Sequence, residues 1–288
     1  LVDAGVDRVG LRLLDWGMRG GEGSLVVRSP LPASLAVVPV AYVTVDRLES
    51  WAKEPGFDGS REAVALLQRM DAVLAPAWPG RPLDYQLDAD WAGSTRKVWF
   101  AVVAAFRDLV HARGARLGVT VRLHQYRDRR QQGVPPADSA VLLLYGFGDA
   151  VIDHAVVESY VKTTDYPLPL VPAFPVYTQV RQLNGYGRLV ALHRLGSVTE
   201  LPLADLAAES PNRYLVLRRS SLAGRPLLAH DELLVDSVGP SVLGAVSNLP
   251  VVAALRKKGG DRLWVFDYDS SGWEALVHGP LAPYLFPR

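Results

Sequence analysis

Two short segments hold most of the residues whose types and spacing could do chemistry. In Leu83–Asp90 the side chains alternate: Leu83, Tyr85 and Leu87 fall on one face of an extended chain, and Asp84, Gln86, Asp88 and Asp90 on the other. Farther on, Val119, Val121 and Leu123 share a face opposite Thr120, Arg122 and His124. Asp88 and Asp90, two apart on one face, have Cα atoms roughly 6.6 Å apart. Like charges that close disfavour joint ionisation, which raises the pKa of one of the pair and equips it for general acid–base work. Asp90 is the expected acid, with Asp88 fixing its orientation and Arg122 and His124 positioning a substrate. Asp267 and Asp269 end the last extended run on one face, and Asp267 offers a second catalytic carboxylate. A structural ion-pair layer explains any single aspartate equally well. Several converging with Arg122 and His124 favour a site.

Other patterns carry less. Asp88-Ala89-Asp90 and Asp267-Tyr268-Asp269 match the D-x-D by which glycosyltransferases hold a divalent metal, but so short a pattern arises by chance. V-F-D-Y-D-S-S (265–271) imitates the nucleophile strand of aspartyl-phosphate phosphatases, yet that motif normally begins a domain and here stands near the end of the chain. The histidines at 111, 124, 154, 193, 230 and 278 form no H-x-H or H-E-x-x-H pair, and cysteine is absent. No metal and no cofactor are expected.

These residues need elements to hold them. Extended runs at Arg8–Leu14, Ala36–Thr44, Leu83–Asp90, Arg116–Leu123, Ala140–Gly146, Leu168–Phe174 and Arg262–Asp267 alternate with helical patterns. Ser60 is the expected cap of a helix with Val64, Leu67, Met70 and Leu74 on one face. Ser94 is that of a second, with Val98, Val102, Ala105, Phe106 and Leu109, ending at Gly114. Ile152–Val161 and Pro240–Lys257 read as further helices, and Leu1–Ala4 with Gly5 as the tail of one. The alternation predicts a parallel sheet covered by helices. A parallel strand buried on both faces is apolar throughout; polar rows growing toward strand C-termini belong to the lumen of a barrel and its mouth, where sites of this fold lie. The expectation is a (β/α)₈ barrel, one domain over 1–288. An open doubly wound sheet is the alternative, but no G-x-G-x-x-G follows any strand. Seven strands are legible, so a first strand is expected before Leu1. Residues 179–236 break the alternation and read as a β-rich insertion before the last strand, with Arg188–Arg194 and Arg213–Arg218 as antiparallel strands.

Composition excludes several classes. The 288 residues are 49% apolar and 21% charged, with a net charge of +1, which rules out disorder and gives no basic excess for nucleic acid. The longest apolar stretch, Leu35–Val45, is interrupted by Pro39 and too short to span a bilayer. Absence of cysteine excludes disulfides and thiolate chemistry and fits either redox compartment. Oligomeric state is left open.

The segments L-D-Y-Q-L-D-A-D-W-A-G-S-T-R (83–96), V-T-V-R-L-H-Q (119–125), G-V-P-P-A-D (133–138), L-L-L-Y-G-F-G-D (142–149), P-L-P-L-V-P-A-F-P (167–175) and L-W-V-F-D-Y-D (263–269) resemble domain-of-unknown-function family 3142. The resemblance implies a fold like that of TIM-barrel glycoside hydrolases and an exported, extracytoplasmic protein; no reaction comes with it. The chain departs from the family in lacking its usual opening strand and in placing Ala89 where cysteine is frequent. Asp88-x-Asp90-Trp91 is also similar to the strand motif of chitinase-type family 18 glycosidases, whose general-acid glutamate falls two residues after the last aspartate; here that position is Ala92. The expectation is a glycoside hydrolase-like or lyase-like protein acting on a polysaccharide through Asp90, Asp88 and Asp267. Its rival is a non-catalytic polysaccharide-binding module on a degenerate barrel, for which Ala92 argues. Arg122, His124, Asp15 and Asp269 are the expected polar contacts to such a ligand. Trp16, Trp91, Tyr145, Tyr177 and Trp273 follow or end strands, where core packing is the default role. Trp91, Tyr145 and Tyr177 are the aromatic faces expected to meet sugar rings.

Overall fold

Alternating apolar runs and amphipathic helices give the elements in the order β1 (Arg8–Trp16), β2 (Ala36–Val43), α1 (Val45–Lys53), α2 (Gly59–Leu74), β3 (Asp84–Ala89), α3 (Arg96–His111), β4 (Arg116–Arg122), α4 (Leu123–Arg127), α5 (Arg129–Gln132), β5 (Ser139–Leu143), α6 (His154–Tyr160) and β6 (Leu170–Pro175). There follow β7 (Thr178–Leu183), β8 (Leu189–Leu195), β9 (Leu206–Ser210), β10 (Arg213–Val216), β11 (Ser220–Leu222), β12 (Arg225–Leu227), β13 (Glu232–Ser237), α7 (Pro240–Ser247), α8 (Pro250–Lys258) and β14 (Trp264–Phe266). The structure is a computed structural model and describes residues 8–18, 36–76, 78, 80–146, 151–175, 177–195, 198–238, 240–258 and 263–266. The expected helix tail at Leu1–Gly5, and Asp267, Asp269 and Trp273, lie outside the described residues.

Among these residues the main sheet has seven strands in the order β1-β2-β3-β4-β5-β6-β14. Neighbours from β1 to β5, and β6 with β14, pair in parallel. A second sheet, β8-β7-β13-β10-β9, is antiparallel. The fold is of the (β/α)₈ barrel class with a β insertion, as the alternation predicts. Contacts divide the chain into two compact units. The first comprises 1–143, 160–171 and 257–260; the second comprises 144–159, 172–256 and 261–288.

In the first unit, the odd-numbered residues of β3 face the helices. The Tyr85 ring meets Phe106 of α3 edge-on at 6.1 Å, and Leu87 is fully buried. The even-numbered row therefore faces away from the helices, which is where the polar side chains belong. At its N-terminal end Asp84 accepts from Arg8 on β1 at 2.9 Å and from Arg116 on β4 at 3.0 Å. The structural ion-pair reading holds for Asp84.

Details of the helices differ from expectation. Asp58, not Ser60, caps α2, accepting from the backbone N–H of Ser60 at 2.9 Å and of Arg61 at 3.3 Å. The buried face is Ala63, Leu66, Leu67, Met70 and Leu74, with Val64 exposed. Gly59 packs so near α3 that a Cβ there would lie 2.8 Å from the Ala101 backbone, so small residues turn toward α3. In α3 the N-cap is Thr95 rather than Ser94, and the buried residues are Trp99, Val102, Val103, Phe106 and Val110. Val98, Ala105 and Leu109 stay half-buried. The expected single helix over Pro240–Lys257 is two, since Pro250 lacks the N–H that would continue α7 and instead starts α8.

In the second unit, β7 and β13 run antiparallel from Leu183↔Glu232 to Thr178↔Ser237. The inserted sheet has its own core of Val180, Leu195, Leu201, Val216, Leu222, Leu227, Leu233 and Val235. It contains more strands than the two legible in the sequence.

Candidate functional site

The polar row of the first unit converges at the C-terminal ends of β2, β3 and β4. Register pairs Asp15 with Tyr42 and Tyr42 with Asp88. Thr120 on β4 donates its hydroxyl hydrogen bond to Asp88. One step farther along, Arg122 grips Asp90 with two bonds, Nε to Oδ1 at 2.5 Å and Nη2 to Oδ2 at 3.2 Å. Such a fork fixes both side chains in orientation as well as in charge. Asp90 retains 35% side-chain exposure, whereas Asp88 is 6% exposed and lies deeper in the row.

Gln125 holds this end of the sheet together. Fully buried, it accepts from the Arg122 backbone N–H at 2.7 Å and donates to the Trp91 carbonyl at 3.0 Å. It thereby ties the strand end bearing Arg122 to the segment that follows Asp90. The direct start of α4 after β4 places His124 near Asp90, Arg122 and Asp128. Arg127 ends α4, and Arg129 and Arg130 begin α5 after the turn at Asp128. Arg127 pairs with Asp128 and lies over Tyr160, 4.2 Å from the ring centre.

Electrostatics follow from burial. Burial pushes the Asp88 carboxyl above its ordinary pKa; Arg122 and the Thr120 hydrogen bond pull against this, and Asp90 adds to it. Tyr42 is pushed up to about 12, by burial first and then by Asp90 and Asp88, against Arg122 and Arg12. His124 is lowered, mainly by burial, with Asp90 opposing and Arg122 assisting. The site thus holds a carboxyl whose pKa burial raises, a carboxylate gripped by arginine, a phenol that keeps its proton and an imidazole biased to the neutral form.

Of the sequence-derived candidates, Asp15, Asp88, Asp90, Arg122 and His124 come together in the first unit. Trp91 does not face them. Its ring is 1% exposed, packs against Trp99 and Phe100, and donates Nε1–H to the Gln132 carbonyl at 3.2 Å. Trp16 is likewise packed, with its indole N–H 3.4 Å from Glu62. In the second unit Tyr145 and Tyr177 are buried edge to face, ring centres 6.1 Å apart, with Arg194 5.1 Å from the Tyr177 ring centre. Sequence reasoning missed Tyr42, Arg12, Thr120 as a partner of Asp88, and Gln125. Tyr42 had one signal, a phenol two residues beyond Val40 on the same face at the end of an otherwise aliphatic strand. Among the described residues no group of three or more carboxylates and histidines could hold a metal ion. No helix among them is long and apolar enough to cross a membrane.

No protein-family model, that of family 3142 included, and no curated protein sequence matches the chain. Solved structures do. A chitinase from Chromobacterium violaceum ATCC 12472 aligns over 96% of this chain and 92% of its own, with a TM-score of 0.53 and 12% identity. The C-terminal domain of a putative chitinase from Desulfitobacterium hafniense DCB-2 aligns over 87% of this chain and 79% of its own, with a TM-score of 0.52 and 11% identity. At such identities the likeness is one of fold: the chain shares the barrel architecture of these chitinases.

Proposed function

We propose that the chain is a carbohydrate-active, glycoside hydrolase-like protein that takes a polysaccharide at the C-terminal ends of β2, β3 and β4. The observation that carries this reading is the convergence of Asp88, Asp90, Arg122 and Tyr42 on one sheet face. The chitinase names of the structural neighbours agree with it. Glycosidic cleavage needs one carboxyl to protonate the leaving oxygen and another group to act as base or nucleophile. Asp90, the more exposed of the two aspartates, is the acid in this reading, and Asp88 beneath it fixes its orientation. Arg122 must release Asp90 when ligand binds, so that Asp90 can take up a proton from solvent and give it to the leaving oxygen. Arg122 and His124 then orient the sugar; Asp267, the second carboxylate expected from the sequence, lies outside the described residues.

A second reading is favoured by two specific features. Ala92 stands exposed two residues after Asp90, and Asp90 has both oxygens bound by Arg122. A site built so binds sugar without cleaving it.

One experiment separates the two. The protein is incubated with a panel of bacterial exopolysaccharides and chitin-type glycans, and reducing ends are measured beside binding. In the hydrolytic reading new reducing ends appear, and Asp90→Asn lowers turnover at least 100-fold with binding kept. Binding without cleavage across the panel moves the protein to the second reading, and no binding removes both. A polysaccharide outside the cytoplasm is the substrate expected in either case. Fractionation of the source cells tests that location, and recovery in the cytoplasm alone rejects it.

A further inference from the structure

The strand that the sequence motifs leave out is β1. Its pairing with β2 is regular from Arg8 to Arg12, slips at Leu13, and resumes with Leu14 opposite Ala41 and Asp15 opposite Tyr42. One extra residue in a strand is a bulge, and a bulge re-aims the side chains around it. In an unbroken strand residues three apart face opposite sides. Across this bulge Arg12 and Asp15 face the same side and pair, Nε to Oδ1, at 2.7 Å. Leu13 and Leu14 are both fully buried, which holds the irregularity in place. Arg12 in turn lies over Tyr42, its Cζ 4.7 Å from the ring centre.

The result is a row of Asp15, Tyr42 and Asp88 on three adjacent strands, with Asp90 and Arg122 one step beyond. Asp15 has 37% side-chain exposure and uses one oxygen, Oδ1, on Arg12. Its other oxygen makes no hydrogen bond among the described residues, and neither does the Tyr42 hydroxyl. An acceptor and a donor thus stand side by side on paired strands about 4.8 Å apart. A sugar hydroxyl is donor and acceptor at once, so one such group can donate to Asp15 and accept from Tyr42.

We propose that Asp15 and Tyr42 seat a hydroxyl of an uncharged sugar ring beside Asp90, and that this pair makes the site prefer neutral over anionic glycans. The proposal rests on the glycan reading of the same site. A uronate or sulfate group has no proton to give Asp15, and the charge of Asp15 repels it. The cations beside the row, Arg12 and Arg122, are each engaged by a carboxylate of the chain. Tyr42 stays a donor throughout the physiological range because its burial and the two nearby aspartates oppose the phenolate.

The test uses matched probes: chitohexaose, cellohexaose and mannohexaose, each paired with the same chain oxidised to a carboxylate at C6, with affinities measured by calorimetry on the whole protein. A neutral member binds at least tenfold more tightly than its oxidised twin. Tyr42→Phe, which keeps the ring beneath Arg12, weakens the neutral ligand about three- to tenfold with an unchanged melting temperature. Asp15→Asn removes charge at nearly constant shape; it weakens the neutral ligand, strengthens the oxidised one and narrows their ratio. An oxidised probe that binds as tightly as its neutral twin, or neutral binding indifferent to both substitutions, overturns the proposal while leaving the glycan reading standing. A wild-type chain that binds none of the six probes overturns the proposal and counts against the glycan reading as well.

Discussion

Asp88 combines nearly complete burial with one hydroxyl partner and an arginine near enough to be felt. Its folded carboxyl holds a proton more readily than the same group in the unfolded chain. Stability from this source is therefore fully present below the ordinary aspartate value of 3.8 and is lost as pH rises through the higher folded value. Asp88→Asn lacks that dependence. The stability of the variant relative to wild type should rise with pH above about 4 and level off once Asp88 is ionised, as urea denaturation from pH 3 to 8 would show. A difference that is flat or falling over that range contradicts the burial argument. Thr120→Val acts on the same carboxyl from the other side, leaving a buried acceptor without its donor at a cost of about 1–3 kcal/mol. That cost should be greater at pH 7 than at pH 4, since the ionised oxygen needs the bond more. Denaturation at the two pH values checks it.

At the level of elements, parallel strands and helices were legible because alternation and helical spacing record which side of each element is buried. The polar row of β3 was legible for the same reason: Gln86, Asp88 and Asp90 interrupt a strand that packing alone would make apolar. The bulge at Leu13 was not, because L-R-L-L-D-W reads as a plain apolar run and nothing in it marks an extra residue. Tyr42 was missed for a related reason, since its significance comes from Asp15 and Asp88 on neighbouring strands rather than from its own segment. The phase of α2 was set one flank off because Val64 and Ala63 border the same stripe. The close approach of Gly59 to α3 selects the smaller side. Leu66→Ala should therefore cost about 2–5 kcal/mol and Val64→Ala no more than about 0.5 kcal/mol by chemical denaturation. A greater cost at Val64 than at Leu66 would mean that the helix is turned the other way.

For the molecule as a whole, the inserted sheet is the feature that composition could announce but not resolve. The break in alternation marked 179–236, close to the 178–237 bounded by β7 and β13. Its strand count was hidden because β9, β11 and β12 are short and mostly exposed. With an apolar cluster of its own, a segment of about 60 residues is near the lower limit for independent folding. Expressed alone, 178–237 should give a cooperative melt and dispersed amide resonances, at a stability of only a few kcal/mol. A fragment with random-coil spectra would show that its cluster is insufficient. The two ends of this segment are register partners, Thr178 beside Ser237, with their hydroxyls 3.1 Å apart. A detour that departs and returns through one such gap asks nothing of the path on either side. Replacing 179–236 by a two- to four-residue turn should let the chain pass from β6 to α7 without stretching either. The same gap is a port, able to accept a shorter loop, a longer one or a foreign domain whose own termini lie close together.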